Sequence, residues 1–124
     1  MAKRSERSPA ERARDAVPLR PPAFHVLLSL AAGPQTGYRI RQVVEEQSGG
    51  TVRLWPATLY RTLGQLQDDA WIEETDDVAV PDDGVDRRFL TLTPLGQAVL
   101  AAETDRLAAL VRLARSAQTR PREA

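Results

Sequence analysis

Residues 55–74, WPATLYRTLGQLQDDAWIEE, contain the change of period that decides the fold. Pro56 is placed to begin a helix, because its fixed φ suits the first turn and its missing N–H is not needed there. Leu59, Leu63 and Leu66 then form an apolar line at helical spacing, with Tyr60 and Ala70 nearby. After Ala70 the period shortens, and WIEET reads as a strand led by Trp71. Near the helix start stand Thr58, Tyr60 and Arg61, polar groups that a folded monomer does not obviously need. What they face decides the function.

Upstream, PPAFHVLLSLAAGPQTG holds Phe24, Val26, Leu27, Leu28 and Leu30, dense enough for a buried helix that Gly33-Pro34 stops. Thr36 can cap a second helix, TGYRIRQVVEEQSGG, with Tyr38, Ile40, Val43 and Val44 near helical spacing and Gly49-Gly50 at its end. Thr51 to Leu54 alternate in a short β-like segment before the third helix. Downstream, VAVPDDGV reads as a hairpin tip and RRFLTLT as the returning strand, Phe89, Thr91 and Thr93 alternating with Arg88, Leu90 and Leu92. Thr93-Pro94 starts a long helix through about Ser116, with Leu95, Val99, Leu100, Leu107, Leu110, Val111 and Ala114 on its stripe.

These elements predict a mainly α fold with a small β-hairpin: a winged helix-turn-helix over residues 21–93, then a helix over 94–117 and a fraying tail over 118–124. Residues 1–20 read as a basic arm or a short helix capped by Ser8. The last helix extends beyond what so small a core covers, and its leucines need another surface. A second copy of the chain is the simplest supplier, through Leu100, Leu107, Leu110, Val111 and Ala114.

Composition narrows the class. The chain has 124 residues, 42% hydrophobic, with 17 basic and 17 acidic side chains and no cysteine. That bounds one small globular domain without a disulfide framework or thiolate metal site. No apolar run approaches the roughly 18 residues of a membrane span, and the N-terminal stretch lacks the apolar core of a secretory signal, so a cytoplasmic protein is expected. The charge is unevenly spread: residues 68–86 hold nine acids and no lysine or arginine, whereas residues 3–20 hold six basic residues against three acids. The lone histidine, His25, sits in an apolar helix, and no phosphate-cradling glycine pattern or metal motif appears. An enzyme is therefore not expected, nor is a cofactor or a metal.

In this order and spacing, GPQTGYRI, the string at Pro56, Thr58, Leu59 and Tyr60, and arginine-aromatic followed by LTPLG resemble the PadR family of transcriptional regulators. The likeness covers about Ala23 to Leu113, and its short single C-terminal helix resembles the family's compact branch. It implies a homodimer whose third helices enter successive major grooves of double-stranded DNA while the wings reach the flanking backbone. It also implies repression of nearby genes and, in many members, release by a small aromatic or drug-like effector. The acidic wing tip, DDVAVPDDGVD, departs from the basic residues common there; Arg87 and Arg88 at the strand base still match.

On this reading Arg61 leads the groove contacts, pairing with guanine or a phosphate, and Thr58 reaches a phosphate or a thymine methyl. Tyr60 supports or contacts the backbone. Thr36, Tyr38 and Arg39 stand at a helix start that favours phosphate, though Thr36 also serves as a plain cap. Arg41, Arg53 and Gln65 are softer candidates, and Lys3, Arg4, Arg7, Arg12 and Arg14 can supply a loose electrostatic arm or a solvated tail. Trp55 and Trp71 are candidates for effector stacking; Trp71 reads mainly as core, and Trp55 as core, ligand or interface. The other reading is a winged-helix protein-interaction module without operator recognition, motivated by the acidic tip and zero net charge.

Overall fold

The computed structural model describes residues 7–76 and 88–119. Five helices and three short strands follow in the order α1 (Pro9–Ala16), α2 (Pro21–Ser29), β1 (Gln35–Thr36), α3 (Gly37–Gln47), α4 (Pro56–Asp68), β2 (Ile72–Thr75), β3 (Phe89–Leu92) and α5 (Pro94–Thr119). The winged helix-turn-helix is α2, α3 and α4 with the β2–β3 wing. The wing tip, residues 77–87, lies outside the described residues together with Arg87, as do Lys3 and Arg4.

Local chemistry sets each boundary. Thr36 caps α3, its hydroxyl oxygen accepting from the Arg39 N–H at 3.2 Å. The helix closes where the Gly50 N–H reaches back to the Glu45 carbonyl at 2.9 Å, with Gly49 and Gly50 both at positive φ. The β-like segment expected at Thr51–Leu54 is not a strand. Ser48 takes up the free backbone groups instead: its Oγ accepts from the Val52 N–H at 3.0 Å, and its carbonyl accepts from the Thr51 hydroxyl at 2.8 Å. Helix α4 ends in the same fashion as α3 but with a different residue. The Trp71 N–H donates to the Leu66 carbonyl at 2.9 Å, which puts Ala70 at φ 62, a conformation that glycine adopts more cheaply.

The wing is antiparallel, Ile72 opposite Leu92 and Thr75 opposite Phe89. A third strand joins the expected hairpin, since β1 pairs with the other edge of β3, Gln35 opposite Leu90 and Thr36 opposite Phe89. Two residues are too few to show any period. The core gathers Val26, Leu27, Ile40, Val44, Leu54, Leu63, Ile72 and Val99. Leu28 departs from the expected buried run at 39% exposed, because α2 turns only one face inward.

At the start of α5, Thr93 joins three elements. Its N–H donates to the Trp71 carbonyl at 3.0 Å, its hydroxyl donates to the Ala70 carbonyl at 2.6 Å, and its Oγ1 accepts from the Gly96 N–H at 2.9 Å. Gly96 lies directly on the Trp71 carbonyl, where a methyl group has no room. Helix α5 then runs 26 residues, about 39 Å at 1.5 Å per residue. Helix α1 lies along it with Ala13 buried, so Arg12 and Arg14 are carried on a docked helix and not on a loose arm; Arg7, just before the Ser8 cap, pairs with Asp15.

One carboxylate holds this arrangement. Glu103 of α5 is 2% exposed. It accepts from the Leu19 backbone N–H at 3.0 Å and from Arg106 at 2.6 and 2.9 Å. The Arg106 hydrogen bonds, aided by the Leu19 N–H, hold its carboxyl below the usual range against the opposing effect of burial.

Gly96→Ala is expected to abolish cooperative unfolding at the wild-type midpoint, since backbone cannot retreat from the new methyl. Ala70→Gly is expected to raise stability by about 0.5–1 kcal/mol in urea titrations, relieving the left-handed strain. Glu103→Gln should lose about 1–3 kcal/mol at pH 7. Because the folded carboxyl ionises more readily than the unfolded one, that advantage is full above the ordinary carboxylate range. It vanishes as pH falls through the lowered value, so the two unfolding curves should converge in acid.

Candidate nucleic-acid interface

The fold turns the α3 start, one side of α4 and the wing base toward a single concave surface. Thr36, Tyr38 and Arg39 reach it from α3, Tyr60 from α4, and Arg88 from the base of β3, around a depression of about 890 Å³. Tyr38 and Tyr60 are each 68% exposed, so neither ring serves the core. Leu59, Thr62, Leu63 and Leu66 hold α4 from behind. Hydroxyl, guanidinium and amide groups thus point outward from rigid elements, a donor-rich set suited to phosphate and base-edge acceptors.

Arg61 and Gln65 stand on the exposed side of α4, outside the depression, while Thr58 is half-buried near the helix start. Among the described residues Arg61 makes no hydrogen bond or ion pair. Arg39, Arg53 and Arg88 are engaged. Arg39 donates to Gln42 at 3.1 Å and lies 4.0 Å from Glu46. Arg53 lies 3.3 Å from Glu45, and Arg88 lies 3.6 Å from Glu74 across the wing. All three pairs are largely exposed and weak.

Sequence reasoning missed Gln42, Gln67 and Glu74, which also line the depression. Gln42 was recoverable, three residues beyond Arg39 on the same helical face; Glu74 needed the strand register that sets it by Arg88. The tryptophans separate. Trp71 packs partly buried against the core, whereas Trp55 is 60% exposed with the Arg41 guanidinium 5.8 Å from its ring centre. Neither lines the depression, nor a second groove of about 520 Å³ between the α2 end, β3 and α5.

His25 is structural in its contacts. Gln47 donates to its carbonyl at 2.8 Å and meets its Nδ1 at 3.1 Å, joining α2 to α3. Burial pushes the imidazole below its ordinary pKa. On α5, Leu100 is half-buried against the chain's own core and Leu107 is half-buried, while Leu110, Val111 and Ala114 are exposed, together with Leu113. No helix among the described residues is long and apolar enough to cross a membrane.

Comparison with known proteins agrees with this architecture. A transcriptional regulator from Clostridium thermocellum superposes with a TM-score of 0.60 at 16% identity, over 86% of this chain and 96% of that one. A PadR family transcription regulator from hypervirulent Clostridium difficile R20291 gives 0.64 at 16% identity, over 77% and 95%. Bacillus subtilis PadR, solved in complex with operator DNA, gives 0.55 at 20% identity over 86% of this chain, which spans only 51% of that protein. At such identities the likeness is one of fold. No curated protein sequence matches the chain. The family model described as the transcriptional regulator PadR-like family matches residues 26–102, more than half of the sequence, and the chain belongs to that family.

Proposed function

We propose that this protein is a sequence-specific DNA-binding regulator, a cytoplasmic repressor without catalytic activity that occupies a palindromic operator as a homodimer. The observation that carries the reading is the donor-rich surface around Tyr38 and Tyr60, continued on α4 by the uncommitted Arg61. The operator complex of Bacillus subtilis PadR, a protein of the same fold, supports it. Arg61 takes a base edge or a phosphate, Thr58 and Tyr60 fix the helix against the backbone, and Thr36, Tyr38 and Arg39 clamp a neighbouring phosphate. Arg88, and Arg87 beside it in sequence, serve the flanking strand.

Two copies joined through the apolar end of α5 would set their reading helices about 34 Å apart, one duplex turn. Leu110, at 49% exposed, with Val111 and Ala114 supplies that surface, and Leu107 and Leu100 extend it toward the domain. The groove between α2, β3 and α5 adjoins this helix, which suits release by a small aromatic or drug-like effector. A second reading, a protein-interaction module, draws on the acid beside each of Arg39, Arg53 and Arg88.

Selection from a pool of random duplexes distinguishes the two. Enrichment of a palindrome is expected, and no enrichment at low and moderate salt would leave only the interaction module. On the selected duplex, log affinity should fall linearly with log salt. Arg61→Ala should cost about 1–3 kcal/mol of binding. Leu110→Asp should shift sedimentation from dimer to monomer and weaken palindrome binding in parallel.

A further inference from the structure

Trp55 has no structural employment. Its neighbours Leu54 and Leu59 are buried, yet its own ring stands in solvent directly before the first turn of α4. Pro56 fixes the chain direction at that point, so the indole projects from a stiff base and not from a loose loop. It gives no side-chain cap to the helix, and the core packs without it. Among the described residues, the Arg41 guanidinium is placed over its ring. Arg41 in turn makes no hydrogen bond or ion pair among the described residues, unlike Arg39 and Arg53 on either side of it in sequence. Exposed tryptophan stacked with arginine is the composition of an interface anchor, apolar, rigid and positively charged at once.

Resting on the DNA-binding reading above, we propose that Trp55 and Arg41 form a specificity-determining contact at the leading end of α4. Residues at the start of a reading helix are those that reach base edges in the major groove. The indole edge offers an apolar surface to a thymine methyl and one N–H donor to an acceptor beside it, which favours an A·T pair. Arg41 holds the ring in its exposed orientation and extends its remaining donors to the adjacent phosphate. A small aromatic effector fits the pair less well, because neither residue lines either of the two depressions described above. A second protein copy fits less well, because the exposed leucines that need cover lie on α5.

The test uses the full chain and the duplex recovered by selection. In a Trp71→Phe background, Trp55 is the sole tryptophan, and its fluorescence should change on adding that duplex. Trp55→Ala should weaken binding to the selected duplex about tenfold while changing affinity for a scrambled duplex by less than about twofold. Selection repeated with this variant should lose an A·T preference at one symmetric position in each half-site. Arg41→Ala should lose the same preference in part, and Trp55→Phe should retain most of it. Unchanged selectivity in Trp55→Ala, or a shift in its sedimentation, overturns the proposal while leaving the regulator reading intact. Failure of the wild-type chain to bind any duplex removes both.

Discussion

Thr93 binds through its N–H to the carbonyl of Trp71 and through its hydroxyl to the carbonyl of Ala70, and everything else in the architecture depends on that junction. The two bonds weld the end of α4 to the last residue of the wing. The same hydroxyl oxygen caps α5 through the Gly96 N–H, so one side chain aligns the proposed reading helix, the wing and the long helix. The geometry tolerates no slack, because Gly96 sits on the Trp71 carbonyl. Any rotation of α5 must therefore pass into α4 and the wing together.

A second constraint acts at the far side of α5. Buried Glu103 spends its oxygens on Arg106 and on the backbone of Leu19, which lies between α1 and α2. A buried carboxylate left unpartnered is strongly unfavourable, so this contact fixes where the chain enters α2. Helix α5 is thus gripped at both ends of its first two and a half turns or so, while its remainder projects with Leu110, Val111 and Leu113 uncovered.

Much of this was legible from residue order. Pro56, Thr36, Thr93 and the paired glycines after Gln47 announce helix boundaries by chemistry that acts within a few residues, and the leucines of α4 announce its buried face. What depended on distant partners was not legible. Strand β1 exists because β3 offers it an edge, and the Thr51–Leu54 segment is irregular, with no strand beside it among the described residues and the Val52 N–H satisfied by Ser48. Within the site, Thr36, Tyr38, Arg39, Tyr60 and Arg88 line one depression, and the acids beside Arg39 and Arg88, Glu46 and Glu74, emerged only from helix face and strand register. Trp71 read mainly as core and Trp55 as core, ligand or interface; Trp71 is half-buried beside the wing and Trp55 is exposed.

The acids beside Arg39, Arg53 and Arg88 give the surface an unusual economy of attraction. Each cation exchanges a weak, exposed carboxylate contact for a phosphate, which trims what a sequence-blind polyanion gains from the encounter. On the DNA-binding reading proposed above, that exchange shortens stays on duplex of the wrong sequence.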